Sequence, residues 1–362
     1  MPAMQIAIIG CGVIGPVHAA AARLDREVVI RWVCDRDATK LPRVVAERST
    51  TDMSQVLADP LVQLVCVCTQ HPEHADVIEA ALHAGKHVLC EKPLASTPAD
   101  LLRILRASSA HPQLIASGVF QHRFAPLARR LRQLVVEGSF GTITKVEVDF
   151  ACTRDQGYYR SADWRGKRLG EGGGVALNQG IHTIDLGLWL AGAVALQVAG
   201  TVRRRRLSCI EVEDLFEATV SCTGGLTARL RADNDGVTGW KQRVVVRGSR
   251  GGFTLGDGHR LVAIDHASAA LGEELQALDA ANLDSRPLGG AKDVYGYHHA
   301  LQVADVIEAI RCGRPPMVGF ADAVQANAVI LATYQSTSLG RPVQLPLEPT
   351  TYRYPELTQE HA

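Results

Sequence analysis

Residues 4–15 read MQIAIIGCGVIG, an apolar run that leads into the pattern G-x-G-x-x-G. The run is typical of a buried strand, and a helix-like stretch, 17–24, follows it. In this strand–turn–helix context the first glycine permits a tight turn, the second lets the backbone approach a pyrophosphate, and the third allows close helix–strand packing. The helix N-terminus then favours the negative charge of that pyrophosphate. The stretch therefore predicts a dinucleotide site at Gly10, Gly12 and Gly15.

An acidic residue lies where such a site needs one. Asp35 ends the second apolar run, 28–34, twenty residues after Gly15. A carboxylate at that distance accepts hydrogen bonds from an adenosine ribose. The next residue, Arg36, argues the other way, because a guanidinium binds a 2′-phosphate or stacks on adenine. Since the carboxylate ends the strand, we expect NAD, with NADP as the alternative cofactor.

Length and composition narrow the class of protein. A chain of 362 residues exceeds the size at which one core keeps growing, so we expect two domains. Its 38 basic and 38 acidic residues balance, so no net charge attracts nucleic acid or an anionic membrane. No apolar stretch reaches the roughly 20 residues of a membrane span, and no leader pattern precedes the first strand. We therefore expect no nucleic-acid or membrane partner.

The cysteines indicate a reducing compartment. There are nine, an odd number, and no C-x-x-C pair occurs. Cys34, Cys66, Cys68 and Cys90 lie in apolar runs, where a free thiol behaves as a small hydrophobic group. The pattern predicts reduced cysteines and a cytoplasmic location.

The first third of the chain alternates between strand and helix patterns. Such alternation predicts a parallel sheet covered on both faces, a doubly wound α/β fold. The predicted strands are 5–9, 28–34, 63–68, 87–90 and 113–117, and the predicted helices are 14–24, 38–47, 73–84 and 97–110. We expect this dinucleotide-binding Rossmann domain to span 1–122.

The rest of the chain shows two-residue alternation between glycine-rich or charged turns. That pattern predicts a large, mostly antiparallel sheet with one solvated face in an α+β domain, 123–362. The predicted strands are 143–150, 196–206, 215–221, 227–232, 243–247 and 343–345, and the predicted helices are 125–137, 293–312 and 320–338.

The tripeptide Glu91-Lys92-Pro93 directly follows the predicted strand 87–90. Lys92 therefore emerges at the carboxyl edge of the sheet, where ligands of doubly wound folds bind. A lysine at the rim of a sheet is usually only solvated. Here Pro93 stiffens the chain immediately after it, and an X-Pro bond can be cis, which would aim the side chain. We favour a functional role for Lys92.

A second polar constellation occupies 172–185, which reads GGGVALNQGIHTID. Three glycines permit close backbone approach and positive φ at the mouth of a site. Asn178, His182 and Asp185 have i, i+4 and i+7 spacing, so a helix would place them on one face, where they need partners or a cavity. A single histidine on a helix is more often structural than catalytic. The glycine loop and the two polar companions favour function here.

Two other features do not indicate a site. The run Arg203–Arg206 could suggest nucleic acid, but alternate members point to opposite faces of a strand, and no aromatic residue lies among them. His298 and His299 beside Asp293 could suggest a metal, but no third ligand has compelling spacing. We assign no metal.

Taken together, these stretches resemble the glucose–fructose oxidoreductase/inositol dehydrogenase/MocA (Gfo/Idh/MocA) family. Their motifs are closest to its branch of nucleotide-sugar 3-dehydrogenases and ketoreductases. The matching stretches are the Gly10–Gly15 loop, 84–95 (AGKHVLCEKPLA), Arg123-Phe124, 164–166 (WRG), the 172–185 block, and 299–302 (HALQ) with Asp305.

The resemblance implies an N-terminal Rossmann domain, a nicotinamide cofactor, and a C-terminal sheet that packs against that of another subunit in a homodimer or homotetramer. It places Lys92 and His182 on either side of the reacting carbinol, and a cis Lys92–Pro93 peptide in a tight turn. Asn178 stands where the family often has an aspartate, and an asparagine cannot accept a proton but can hydrogen-bond Lys92 or a substrate hydroxyl.

The resemblance also assigns binding residues. For the cofactor these are Gly10, Gly12, Val13, Ile14, Gly15, Asp35, Arg36, Thr69, His74, Glu91 and Lys92. For the substrate they are Asn178 and His182, together with Arg123, Tyr159, Trp164 and Arg165, which are candidates for holding either the substrate or the nicotinamide. Arg165 could pair with a carboxylate or phosphate, or form a salt bridge at a domain interface. The loop that begins at Thr69 departs from the family, because Gln70-His71 follows where Pro-Asn is usual.

The implied activity exchanges a hydride between nicotinamide and a secondary hydroxyl or ketone of a sugar, cyclitol or nucleotide-sugar. His182 would act as general base, and Lys92 would hydrogen-bond the reacting oxygen. Two alternatives stay open. A dinucleotide-binding sensor without activity would be expected to lose Lys92 or His182. A glycosidase that oxidises its substrate only transiently would show no net turnover of added cofactor.

We predict that NAD binds more tightly than NADP, because Asp35 would accept hydrogen bonds from the ribose 2′-hydroxyl and repel a 2′-phosphate. Parallel titrations of the two cofactors, followed by protein fluorescence, check this. Equal or tighter binding of NADP would contradict the prediction.

Overall fold

The apolar runs of the chain form two sheets in a computed structural model that describes residues 3–265, 268–281, 288 and 296–358. The strands are β1 Met4–Ile9, β2 Val28–Cys34, β3 Arg48–Thr50, β4 Leu64–Val67, β5 His87–Cys90, β6 Ala116–Gly118, β7 Ile143–Cys152, β8 Ala195–Arg203, β9 Leu215–Cys222, β10 Thr227–Asp233, β11 Trp240–Gly248, β12 Gly251–Leu255, β13 Leu261–Asp265 and β14 Val343–Gln344. The α-helices are α1 Gly15–Ala22, α2 Met53–Ala58, α3 His74–His83, α4 Pro98–Ala110, α5 Pro126–Val136, α6 Gln156–Arg160, α7 Arg168–Glu171, α8 Ile181–Ala191, α9 Ala269–Ala281, α10 Tyr297–Cys312 and α11 Phe320–Leu339.

The first sheet has six parallel strands in the order β3-β2-β1-β4-β5-β6. This confirms the predicted doubly wound fold. Because the strands are parallel, the residues that follow β1, β2, β4 and β5 meet at one edge of the sheet. The strand order reverses between β1 and β4, which is where such folds bind ligands. The topology therefore brings Gly10, Asp35, Cys68 and Glu91 to the edge that the sequence predicted.

The chain divides into two compact units, and this division differs from a single boundary after residue 122. The first unit is formed by 1–95, 100–124 and 284–324, and the second by 96–99, 125–283 and 325–362. Helix α10 belongs to the first unit because its Val303, Val306 and Ile307 are buried in the same apolar core as β1 and α1. Residues 293–295 of the predicted helix 293–312 lie outside the described residues.

The second sheet has eight strands in the order β13-β12-β11-β7-β10-β9-β8-β14. All neighbouring pairs are antiparallel except β7 with β10. Buried Phe216, Ala218 and Val220 alternate along β9 with exposed Glu217 and Thr219. Helix α8 packs on β7 and β11. The predicted, mostly antiparallel sheet with one polar face is confirmed.

Two local predictions were wrong. The helix predicted at 38–47 is only a 3₁₀ segment, Ala38–Arg43, which contains Pro42, a residue that has no N–H to donate. The helix predicted after the three glycines begins instead as a π-helical turn, Val175–Gly180, before α8. Single π-helical turns occur often at functional sites, and this one carries Asn178.

Candidate active site

The glycine loop after β1 fits a dinucleotide. Gly10 has φ of 99°, and a Cβ atom there would collide with the carbonyl of Cys68. A Cβ on Gly15 would collide with the carbonyl of Gly10, so both positions require glycine for close packing. In contrast, a Cβ on Gly12 would meet no atom within 4 Å. The loop is therefore closed towards the sheet and open on the side where a pyrophosphate would lie.

Asp35 is tied to this loop. Its Oδ2 accepts a hydrogen bond from the backbone N–H of Cys11 at 2.8 Å, and its Oδ1 accepts one from the N–H of Asp37 at 2.9 Å. The carboxylate is thus held at the rim of the loop, where it could reach a ribose. The neighbouring Arg36 is exposed and forms an ion pair with Glu73. That ion pair competes with any role of Arg36 in holding a 2′-phosphate.

Thr69 and His74 surround the next loop of the same edge. The hydroxyl of Thr69 is buried without a hydrogen-bond partner among the described residues, an arrangement that suits a bound polar ligand. His74 is fully buried; its Nδ1 lies 2.8 Å from the carbonyl of Pro93, and its Nε2 lies 3.2 Å from the carbonyl of Thr69. Burial lowers the pKa of His74, so a neutral ring donating to Pro93 through Nδ1 is favoured. The Lys92–Pro93 peptide is cis, as predicted.

A buried ion pair lies beside Lys92. Nε2 of His18 is 2.7 Å from Oε1 of Glu91, and the two residues are 1% and 6% exposed. The other oxygen of Glu91 accepts the backbone N–H of Lys92 at 3.2 Å. The ring of His299 meets that of His18 edge-on at 6.2 Å. Glu91 was assigned to the cofactor, but the structure places its carboxylate between His18 and the backbone of Lys92.

Burial alone would lower the pKa of His18, but hydrogen bonds to Cys66 and Glu91 and the charge of Glu91 outweigh it and raise that pKa to about 10. Burial alone would raise the pKa of Glu91, but the hydrogen bond and charge of His18 lower it to about 2. Burial lowers the pKa of His299 to about 4. The pair is therefore charged at neutral pH and His299 is neutral. The sequence analysis did not identify His18. The one indication in the sequence is that His18 is a polar residue within the otherwise apolar helix α1.

In the second unit, a buried carboxylate holds the loop that leads to His182. Glu213 is fully buried; it accepts the backbone N–H groups of Gly174 at 2.7 Å and Ala176 at 3.1 Å. Hydroxyls of Tyr334 and Tyr354 also donate to it, at 2.9 and 3.3 Å. A Cβ on Gly174 would collide with the carbonyl of Glu213. Burial raises the pKa of Glu213 to about 7, although these donors oppose the shift.

Asn178 lies against a carboxylate that the sequence motif does not show. Its side-chain amide donates to Oε1 of Glu171, and Oε2 of the same residue accepts the backbone N–H of Gly166 at 2.5 Å. Glu171 is 1% exposed. The position where the family often has an aspartate therefore has an asparagine paired with a neighbouring glutamate.

Tyr158 is the centre of a polar cluster that sequence reasoning missed. Its hydroxyl accepts hydrogen bonds from Gln179 Nε2 at 3.1 Å, from Asn178 Nδ2 at 3.4 Å and from the guanidinium of Arg165. Burial raises the pKa of this phenol. The sequence-predicted Tyr159 lies instead in an apolar cluster with Leu207, Ile210 and Val212 and is 5% exposed. Adjacent residues of α6 therefore have different surroundings: Tyr159 lies in the apolar cluster and Tyr158 in the polar one.

The remaining predicted residues are distributed as follows. Arg123 is buried, lies over the ring of Phe120 and donates to the carbonyl of Asp322 at 3.3 Å, so it holds the first unit together. Trp164 stacks on Arg165. Asn178 and His182 are half-buried.

Asp185 is 2% exposed, so it does not share an open face with Asn178 and His182. The π-helical turn changes the spacing only across Gly180, between Asn178 and the two residues on α8.

The described ranges contain no group of three or more histidine, cysteine or acidic side chains that could hold a metal. Within the same ranges, every helix is too short or too polar to cross a membrane.

Comparisons with known proteins cover most of the chain. The profile described as "Oxidoreductase family, NAD-binding Rossmann fold" (GFO_IDH_MocA) matches residues 4–118. The profile described as "GFO/IDH/MocA C-terminal domain" matches residues 128–254. The chain is 24% identical to a myo-inositol 2-dehydrogenase of Thermotoga maritima, over 94% of this chain and 98% of that protein.

It is 29% identical to a D-glucoside 3-dehydrogenase of Escherichia coli, over 65% of this chain and 68% of that one. Among solved structures, the WlbA dehydrogenase of Bordetella pertussis, in complex with NADH and UDP-GlcNAcA, has the same fold. It superimposes with a TM-score of 0.86 at 24% identity, and the match covers 96% of this chain and 99% of that one.

We predict that the stability of the protein falls from about pH 7 to about pH 9 because of His18. Its raised pKa stabilises the fold fully below the unfolded value of 6.5, and this contribution is lost as the pH rises towards about 10. Urea unfolding at both ends of this range should show a loss that is about 2 to 3 kcal/mol smaller in His18→Gln than in the wild type, because the buried cysteines with raised pKa lose the same contribution in both proteins. His299 stays neutral throughout this range and does not contribute. An equal loss in the variant would contradict the assignment.

We predict that Asn178→Asp destabilises the second unit. The new carboxylate would lie against that of Glu171, so the two negative charges would repel unless one were protonated. Thermal unfolding should show a deficit that shrinks as the pH is lowered, whereas the deficit of the uncharged control Asn178→Ala should not depend on pH in this way. A variant as stable as the wild type at alkaline pH would contradict the observed pairing.

Proposed function

We propose that this chain, which belongs to the Gfo/Idh/MocA oxidoreductase family, interconverts a secondary hydroxyl and a ketone on a sugar, cyclitol or nucleotide-sugar. Membership makes it an oxidoreductase with an NAD-binding Rossmann domain. The observation that carries the proposal is the edge of the first sheet. The loops at this edge contain the glycine turn, Asp35, which is hydrogen-bonded to that turn, and Lys92, whose backbone N–H is bound by Glu91 of the buried His18–Glu91 ion pair.

The residues of this edge fit a nicotinamide dinucleotide. Gly10 to Gly15 would hold the pyrophosphate, Asp35 the adenosine ribose, and the unpartnered hydroxyl of Thr69 a further polar group. When bound, the nicotinamide accepts or returns the hydride. The protein's part is to orient the substrate and to move its proton.

Lys92 and His182 are the candidates for the proton chemistry. Lys92 would donate a hydrogen bond to the reacting oxygen and stabilise its developing negative charge. His182, half-buried at the start of α8, would take the hydroxyl proton as general base. The rigid supports found for each, His18–Glu91 beside Lys92 and Glu213 before the π-helical turn, suit groups that must be positioned. A sensor without activity would not need both.

The polar cluster around Tyr158 supports a hydroxyl-rich substrate. Tyr158, Gln179 and Asn178 bring amide and phenol groups together on the second unit. Groups of this kind bind sugar hydroxyls as both donors and acceptors. The relatives named above act on inositol and glucosides, which is consistent with this class.

The exposed face of the second sheet supports self-association into a homodimer or homotetramer. Its strands present acidic and basic side chains in alternation, among them Asp149, Glu217, Arg231 and Arg243. A broad face carrying both signs can pair with a second copy of itself across a two-fold axis, where opposite charges of the two copies meet. Light scattering combined with size exclusion measures this state directly.

The proposal predicts that Lys92→Met and His182→Ala each reduce turnover about 100-fold or more, as expected for a lost positioned acid or base. Turnover is followed by the absorbance of reduced nicotinamide in a screen of sugars, inositols and nucleotide-sugars. The exposed Lys241→Met and His83→Ala serve as matched controls and should retain activity.

Cofactor affinity should change little in either variant. If both groups act in one step, the loss in the double variant should be smaller than the product of the single losses. Near-normal turnover of His182→Ala would contradict its role as base. Catalysis that consumes no added cofactor would point to a glycosidase instead.

A further inference from the structure

Two arginines of the second unit lie close to the same aromatic ring. The guanidinium carbon of Arg165 is 4.4 Å from the ring centre of Tyr158, and that of Arg154 is 4.8 Å from it. Arg165 also lies over Trp164 at 4.6 Å, and Arg154 lies over Trp240 at 5.2 Å. We call Arg154 and Arg165 the arginine pair. Aromatic faces thus hold two positive charges in one small region.

Neither charge is balanced by a carboxylate. Among the described residues, no acidic oxygen lies within ion-pair distance, 4.0 Å, of either guanidinium. Arg165 donates to the Tyr158 hydroxyl, and Arg154 donates to the carbonyl of Thr153 at 3.3 Å. The Nε atoms of both arginines are buried without a hydrogen-bond partner. A buried donor without an acceptor is destabilising, so these N–H groups favour an incoming acceptor.

Glu171, an acidic group of this neighbourhood, already has hydrogen-bond partners. Glu171 acts on Tyr158 through its charge, but its two oxygens accept the amide of Asn178 and the backbone N–H of Gly166. The hydrogen bonds of this carboxylate are therefore made to groups other than the two guanidiniums.

The arginine pair is also held in place before any ligand arrives. The fully buried Asn234 accepts the N–H of Arg154 at 2.8 Å and donates to its carbonyl at 3.0 Å. Asp155 caps α6 by accepting the N–H of Tyr158 at 2.8 Å. Because the backbone and the aromatic platforms are fixed, little conformational freedom would be lost on binding.

We propose that the arginine pair binds an oxyanion on the substrate, a carboxylate or a phosphate, so that the true substrates are acidic sugars or sugar phosphates. A guanidinium presents a planar fork of donors that matches two oxygens of either group. Tyr158 links this subsite to Asn178 and Gln179, which precede the candidate base His182 in the chain. The inference rests on the proposed function, because it assumes that the sugar binds at this polar cluster.

Binding measured without turnover tests the subsite. The protein is first saturated with NADH, which fills the cofactor's own phosphate sites and prevents oxidation of the sugar. D-Glucose, D-glucuronate and D-glucose 1-phosphate are then titrated calorimetrically into the wild type, Arg154→Gln, Arg165→Gln and the control Arg160→Gln, an exposed arginine at the end of helix α6, between the arginine pair in the chain. Circular dichroism confirms that each variant is folded.

We expect at least one anionic sugar to bind roughly 10- to 100-fold more tightly than glucose to the wild type and to Arg160→Gln. That preference should be lost in Arg154→Gln and in Arg165→Gln. Tighter binding of D-glucuronate would indicate a carboxylate subsite, and tighter binding of D-glucose 1-phosphate would indicate a phosphate subsite.

Equal affinity for neutral and anionic sugars would overturn the inference. A preference for anionic sugars that survives both substitutions would overturn it as well. The same holds if neither anionic sugar binds more tightly to the wild type than to the two variants. Turnover of neutral sugars without this preference would leave the proposed function standing. An arginine-dependent preference without turnover of any sugar would instead leave the subsite standing and refute the proposed function.

Discussion

The buried carboxylate of Glu213 is the constraint on which the second unit's site depends. It binds the N–H groups of Gly174 and Ala176 at the start of the π-helical turn, and its own backbone leaves no space for a side chain at Gly174. The turn can therefore begin in only one place. Everything that follows along the chain, first Asn178 and then His182, takes its position from that start. A flexible glycine loop becomes a fixed support because one fully buried carboxyl group binds it.

The first unit uses the same device. Glu91, held by His18, accepts the backbone N–H of Lys92 and so fixes the residue that carries the amine. The cost of removing such charges from water offsets part of their attraction. They also have a geometric role, because they specify one conformation at the edge where function is expected. The hydroxyl of Thr69 and the Nε atoms of the arginine pair have no hydrogen-bond partner among the described residues, as the proposed ligand sites require.

Sequence patterns predicted those features that depend on local chemistry. The alternation of strands and helices predicted the parallel sheet, and the glycine pattern predicted the loop after β1. The ends of the predicted strands placed Asp35 and Lys92 at the carboxyl edge of the sheet. Each of these features depends on residues close together in the chain. Glu171 and Tyr158 could not be found in this way. Their roles depend on which side chains meet after folding, and neighbouring tyrosines on α6 have opposite surroundings. The π-helical turn was also missed, since its periodicity differs from that of an α-helix.

Hydride transfer itself is the central claim, and an isotope tests it most directly. A panel of secondary alcohols deuterated at the carbinol carbon, covering neutral sugars, cyclitols, uronates and sugar phosphates, would be incubated with NAD and the protein. Mass spectrometry then reads the label in the nicotinamide. This account predicts that deuterated NADH accumulates with at least one member of the panel and that a ketone forms in equal amount. Recovery of the label only in the sugar or its hydrolysis products, with NAD unchanged at the end of the reaction, would contradict it.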